Sequence, residues 1–149
     1  MKKTPNAQRR TSNIEWGGGS VAETPNGNYG AQPKYDLEER LLEFTANIVR
    51  LADSLPNTKA GNHIAGQLLR CGTSPLANHG EVEAAESRKD FLHKLRICLK
   101  ELRETWRWLR LIGRLDLSQG GQLRAALTEV EELIRIFAAS VRTTEKNAK

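Results

Sequence analysis

From Tyr35 onward, apolar residues recur in four separate series with the spacing of one face of an α-helix. The first is Leu37, Leu41, Phe44, Ile48, Leu51 and Leu55, at alternating steps of four and three. Asp36 is placed to accept from the first-turn N–H groups and Glu39 to reach back, while Pro56 ends the helix. The second helix is predicted from near Asn57 or Thr58 toward Ala85, with Ile64, Leu68, Leu69, Leu76 and Val82 on its apolar face. Pro75 cannot donate to the carbonyl of Cys71, which predicts a kink, with two shorter helices as the alternative. The small residues Ala65, Gly66, Gly72, Ala77, Gly80 and Ala84 are expected to admit a neighbouring helix closely.

Ser87 and Asp90 form a capping pair for a third helix, whose seam reads Leu92, Leu95, Leu99, Leu102, Trp106 and Leu109 and which ends near Gly113. Asp116-Leu117-Ser118 is a predicted turn with Ser118 as the next N-cap. Leu123, Leu127, Val130, Ile134, Phe137 and Val141 then repeat the four-three rhythm before a C-terminus, from Thr143, that is expected to fray. No segment alternates with the period of a strand over a useful length. The pattern predicts an all-α fold, an antiparallel up-down-up-down four-helix bundle over residues 35–142.

Residues 1–34 hold no apolar period. Pro5, Pro25, Pro33, the run Gly17-Gly18-Gly19-Ser20 and Asn26-Gly27-Asn28 read as a flexible tail, in which Ile14 and Trp16 stand out as a possible docking segment. There is no apolar run long enough for a membrane span and no apolar signal core near the N-terminus. The chain is therefore expected to be cytoplasmic, with Cys71 and Cys98 as reduced, buried thiols.

The net charge of +5 is unevenly distributed. Residues 35–87 carry four Lys/Arg against eight acids, whereas residues 88–115 carry nine against three. That asymmetry suits an anionic partner, or the basic face of one copy meeting the acidic face of another. Enzyme chemistry finds no foothold. His63, His79 and His93 sit in no zinc or di-iron spacing, the cysteines lack metal spacing, and no glycine-rich loop follows a strand. The i, i+4 pair His79 and Glu83 suits a surface hydrogen bond better than ligation. No catalytic residue, metal or cofactor is expected.

The third helix carries the most specific signal. Lys89, His93, Arg96, Lys100, Arg103, Arg107, Arg110 and Arg114 follow the rhythm of the seam one residue out of phase, roughly 100° around the helix. Like charges three or four apart repel by about 0.2–0.5 kcal/mol per pair. Within the helix only Glu104, beside Lys100 and Arg107, and Asp90, beside Lys94, offer relief. The remaining charge calls either for acids of the first two helices (Glu38, Glu39, Glu43, Glu81, Glu83, Glu86), within or between subunits, or for phosphates. Lys89, Arg96, Lys100, Arg103, Arg107, Arg110 and Arg114 are the candidate nucleic-acid contacts. Trp106 belongs to the seam, so Trp108, two residues on, faces elsewhere. With Ile97, Leu111, Glu101 and Glu104 it marks an expected subunit interface.

Several segments resemble one family as an ordered set. They are Asp36-Leu37, Arg40-Leu41, Phe44 and Ile48-Val49; Gln67 through Ser74 with Ala77-Asn78 and Glu81; Ser87 through Leu95; and Lys100 through Thr105 with Trp108-Leu109. The resemblance is to the small four-helix-bundle proteins encoded in intervening sequences of bacterial large-subunit ribosomal RNA genes, and it spans residues 35 to about 140. Cys71 stands where that family usually has Ser, Val82 where it has Ala, and Arg107 where an aromatic residue often precedes Trp108. The resemblance implies a homopentameric ring or barrel. It also implies kinship with the accessory variability proteins of diversity-generating retroelements, which bind nucleic acid and partner a reverse transcriptase. The expected protein is thus a non-enzymatic, homo-oligomeric accessory factor for RNA or RNA/DNA. The alternative is a structural bundle whose ridge forms inter-subunit salt bridges and whose tail recruits a protein.

Overall fold

The computed structural model describes residues 36–148; the tail, Ile14 and Trp16 lie outside them. The described residues form four helices and no strand: α1 (Leu37–Asp53), α2 (Lys59–Glu83), α3 (Arg88–Arg114) and α4 (Gly121–Lys146). Each packs on its neighbours in the chain, and α1 also packs on α4, so the four enclose one core. None of these helices is long and apolar enough to cross a membrane.

The caps explain most helix boundaries. Asp36 Oδ1 accepts from the Glu39 N–H at 3.1 Å and Ser87 Oγ from the Asp90 N–H at 3.1 Å. Thr58, one of the two predicted starts of α2, accepts from the Gly61 N–H at 3.0 Å. Pro75 lies buried inside a single α2, which therefore is not two helices. Side chains take carbonyls around it: Thr73 donates to Leu69, Asn78 to Ser74, and the Cys98 thiol to Pro75 itself at 3.9 Å.

Beyond α3 the chain departs from the expected cap. The Asp116 N–H donates to the Gly113 carbonyl and the Leu117 N–H to that of Ile112, the paired closure of a Schellman motif. Asp116 holds the left-handed position at φ 52°. The N-cap of α4 is Gly120, at φ 118°, rather than Ser118, because the reversal needs a backbone conformation that only glycine adopts freely. At the other end α4 runs to Lys146, past the predicted fraying, with the Thr144 hydroxyl bonded to Ser140, Glu145 paired with Arg96 and the Arg88 guanidinium bonded to the Asn147 carbonyl.

The buried faces of α1 and α4 contain most of the predicted series: Leu37, Leu127 and Ile134 are only partly buried, and Ala126 and Leu133 are buried on α4. The seam of α3 is rotated from its predicted position. Phe91, Leu95, Cys98, Leu102, Thr105, Leu109 and Ile112 are buried, Leu99 is buried beside them, and Leu92 and Trp106 are only partly covered. The reason is that α3 packs on both α2 and α4, which centres its buried arc on the line of Phe91, Cys98, Leu102, Thr105 and Leu109 between them. Thr105 tolerates burial because its hydroxyl donates to the Glu101 carbonyl at 2.8 Å.

Two further expectations change on α2. A Cβ on Gly72 would lie 2.5 Å from Ile48 Cγ2, so α1 and α2 meet closely there, whereas at Gly66 and Gly80 it would meet nothing within 4 Å. Of the six small residues, Ala77 and Ala84 are also exposed, so the close approach is local to Gly72. His79 is not at the surface: it is 1% exposed, edge-on to Phe137, and its Nε2 has no hydrogen-bond partner among the described residues. Burial lowers its pKa against the opposing pull of Glu83, Glu38 and Asp36.

Candidate nucleic-acid interface

The rotated seam moves the basic ridge away from the core. With Phe91, Leu95, Cys98 and their successors at the centre, the ridge lies about 150° around α3, nearly opposite the buried face. Lys89, His93, Arg96, Lys100, Arg103, Arg107, Arg110 and Arg114 are all exposed.

The acids of α3 do not neutralise this ridge. Asp90 pairs with Lys94 at 2.8 Å as expected, but Glu104 turns to Arg70 of α2, as does Glu101 at 3.5 Å. They face α2 because they share the flank of α3 that packs there. Arg70 therefore takes up the carboxylates that could have relieved Lys100 and Arg107. Of the acids expected to answer the ridge from α1 and α2, Glu43 meets Arg50 at 3.7 Å and Glu81 meets Lys94 at 3.9 Å, while Glu38, Glu39, Glu83 and Glu86 pair with no ridge cation among the described residues. On the ridge, Arg96 pairs with Glu145 of α4 at 2.5 Å, and Arg110 stacks over the Trp106 ring with its guanidinium carbon 4.5 Å from the ring centroid. Arg107 donates to the Arg103 carbonyl at 3.2 Å. Lys89, Lys100, Arg103, Arg107 and Arg114 make no ion pair among the described residues.

The two tryptophans lie on opposite flanks of α3, both partly buried. Trp106 leans toward α4 and donates to Glu131 at 3.2 Å. Trp108 leans toward α2, edge-on to His63 at 6.2 Å, with its indole N–H 3.5 Å from Glu104. Of the residues expected at a subunit interface, Trp108 and Ile97 are half covered within the chain, Glu101 and Glu104 are held by Arg70, and Leu111 is 37% exposed.

Alpha-helix four supplies cations that the reading of α3 alone did not include. Arg96, Lys100, Arg103 and Arg107 form one wall of a groove of about 480 Å³ whose other side is Ala138, Val141 and Arg142, with Leu99 among its lining. Arg135 and Lys146 line its continuations. The signal was present in the spacing of Arg135 and Arg142, seven apart on one face of α4, but which helix they would adjoin depends on the packing.

Both thiols are poor nucleophiles here. Burial pushes Cys71 up to about 11 and Cys98 to about 12, and both are free. Among the described residues no group of three or more His, Cys, Asp or Glu is arranged to hold a metal ion.

The fold and this surface together define an all-α, four-helix domain with a cationic face on α3. A model of the 23S rRNA-intervening sequence protein family matches residues 34–139, and the chain belongs to that family. It is also similar to a crystal structure at 1.70 Å of a protein of unknown function from the S23 ribosomal protein family of Bacteroides thetaiotaomicron. The two are 35% identical with a TM-score of 0.66, over 70% of this chain and 97% of that one. No curated protein matches the chain.

Proposed function

We propose that the protein is a non-enzymatic, homo-oligomeric accessory factor of the cytoplasm that binds the phosphate backbone of RNA or an RNA/DNA hybrid through the α3 ridge. The single observation that carries this reading is the solvent-facing row of Lys100, Arg103 and Arg107, which has no acid partner among the described residues because Arg70 holds the nearby carboxylates. Phosphates supply the missing countercharge, and a row of cations with no Asn or Gln beside them to read adenine edges favours phosphate-directed, weakly sequence-selective binding.

The arrangement we favour is up-down-up-down. It is supported by partners whose numbers run in opposite directions, Arg96 with Glu145 and Trp106 with Glu131 between α3 and α4, and Lys94 with Glu81 and Arg70 with Glu104 between α3 and α2. The pentameric assembly and the reverse-transcriptase partner belong to the same proposal and rest on the family resemblance. The test reads mass and the 260/280 nm absorbance ratio together by light scattering on size exclusion, with and without nuclease and high salt. Arg103→Glu with Arg107→Glu should abolish nucleic-acid retention and leave the oligomer mass unchanged. A wild-type oligomer clean of nucleic acid in low salt, or a double variant that dissociates, overturns the reading.

A second reading is a structural bundle whose ridge forms inter-subunit salt bridges and which presents faces to a protein partner. It is favoured by Leu42 and Val49, 49% and 36% exposed and one heptad apart on α1. Dissociation of the charge-reversed variant is the outcome that supports it.

A further inference from the structure

Three depressions along the junction of α3 and α4 share their walls. One, of about 390 Å³, is lined by Arg96, Arg142, Glu145 and Lys146. The central groove shares Arg96 and Arg142 with it, and shares Arg103 and Arg107 with a third depression of about 320 Å³, which adds Trp106, Glu131, Ile134 and Arg135. They join into one track that follows α3 for about 16 Å, the rise from Arg96 to Arg107.

Its two walls carry seven cations, Arg96, Lys100, Arg103 and Arg107 from α3 and Arg135, Arg142 and Lys146 from α4, against the carboxylates of Glu131 and Glu145, with Arg135 also paired to Glu132 beside the track. Both carboxylates are already engaged, Glu145 by Arg96 and Glu131 by the Trp106 indole. Arg142 makes no ion pair among the described residues. Leu99, Ile134, Ala138 and Val141 supply apolar lining between the charges.

We propose that this track seats a single nucleic-acid strand, its phosphates bridged between the α3 and α4 walls and its end reaching Trp106, whose ring Arg110 covers on one face. The inference rests on the proposed nucleic-acid function and deepens it by naming the strandedness and the second wall. Width argues for a single strand. The axes of packed helices lie about 8–10 Å apart, so the furrow between them is narrower than one helix with its side chains, about 10–12 Å, and does not seat both backbones of a duplex. Cations from two sides, an apolar lining and an aromatic group at one end are the combination that holds an unpaired strand, with the charges following the backbone. A purely α3-centred contact, such as a duplex laid along the ridge, would instead use Lys89 and Arg114 at the ends of the helix and ignore Arg142.

The test is fluorescence anisotropy with a labelled 12-nucleotide oligo(U) and a labelled 12-base-pair RNA duplex, titrated with full-length protein over 50–200 mM salt. The variants are Arg142→Glu on the α4 wall and Lys89→Glu with Arg114→Glu on the ridge outside the track. Circular dichroism and oligomer mass establish that each is folded and assembled as the wild type is. Arg142→Glu should weaken oligo(U) binding roughly tenfold or more, the scale of one charge-assisted contact. It should also reduce the salt slope by about 0.7, the counterion term for one phosphate of a single strand. The Lys89/Arg114 variant, whose charges flank the track without lining it, should lose less oligo(U) affinity than Arg142→Glu does. Equal or tighter binding of the duplex, or oligo(U) binding that depends on Lys89 and Arg114 but not on Arg142, overturns the track while leaving the nucleic-acid function standing. Wild-type protein that binds neither probe overturns both, and returns the track to a protein partner.

Discussion

Replacing Gly72 by alanine should loosen the junction of α1 and α2, although alanine is the better helix former. In an exposed helix interior the exchange of glycine for alanine gains about 0.5–1 kcal/mol. At Gly72 the new Cβ would stand 2.5 Å from Ile48 Cγ2, about 1 Å inside the optimal carbon–carbon separation. Ile48 is fully buried and branched at Cβ, so its Cγ2 cannot swing away without moving the backbone of α1. Overpacking of this kind costs about 1–3 kcal/mol. Gly72→Ala should therefore be net destabilising, by up to about 2 kcal/mol, while Gly80→Ala, with open space around it, should be stabilising by about 0.5–1 kcal/mol. Urea unfolding followed by helical circular dichroism reads both, with unchanged m-values required for the comparison. A double-mutant cycle with Ile48→Ala isolates the contact. The single Ile48→Ala change should cost about 2–5 kcal/mol for its cavity. The combined variant should be less destabilised than the sum by about 1 kcal/mol or more, since the alanine methyl then occupies vacated space. Equal stability for Gly72→Ala and Gly80→Ala, or strict additivity in the cycle, would refute the close approach as the reason for glycine at this position.

Other outcomes follow from the buried histidine and the left-handed aspartate. Because burial lowers the His79 pKa in the folded state, the unfolded chain binds that proton more readily. The stability tied to neutral His79 is then complete above about pH 6.5, the ordinary value, and is lost as pH falls from there toward the lowered value. Thermal melts should show this acid-side loss, with a slope of at most about 1.4 kcal/mol per pH unit, and His79→Leu should flatten it; a profile unchanged by that substitution would sink the assignment. Asp116→Gly should raise stability by about 0.5–1 kcal/mol because glycine adopts the φ of 52° without strain, whereas Asp116→Val should lower it. Chemical denaturation reads both, and a destabilised Asp116→Gly would mean that the Asp116 side chain matters more than its backbone.

Much of the fold was legible from one-dimensional spacing, and the misses share a cause. The four helices, the Asp36 and Ser87 caps and the Thr58 start are set by residues within one turn of each other, so periodicity and capping find them. The centre of the α3 seam was not, because Leu92, Leu99 and Trp106 repeat as regularly as Leu95, Leu102 and Leu109. Only the presence of packing partners on both sides decides that Phe91, Cys98, Thr105 and Ile112 lie at the middle. His79 was misplaced for a related reason: its neighbour Glu83 is local, but Phe137, against which it packs, is 58 positions away in the chain. The ridge itself was legible, since charge and period are both local. The second wall at Arg142 was not, because it exists only once α4 is laid beside α3.

The partition of carboxylates then argues that the ridge is more than a by-product of a basic composition. Arg96 to Lys100, Lys100 to Arg103, Arg103 to Arg107, Arg107 to Arg110 and Arg110 to Arg114 are all like-charge neighbours three or four apart. At about 0.2–0.5 kcal/mol each, these five steps oppose folding by about 1–2.5 kcal/mol, a considerable fraction of the net stability of a small domain. The same helix has carboxylates available, yet Glu101 and Glu104 face α2, where Arg70 holds them. Those pairs are mostly exposed on the arginine side and contribute little to stability. Acids interleaved among the ridge cations would have relieved the repulsion. What the observed arrangement achieves instead is a face of α3 that stays positive after every acid of α3 itself has found a partner, beside a second helix that adds Arg142. That is the electrostatic condition for taking up a polyanion, and binding one would remove the repulsion that the free protein carries.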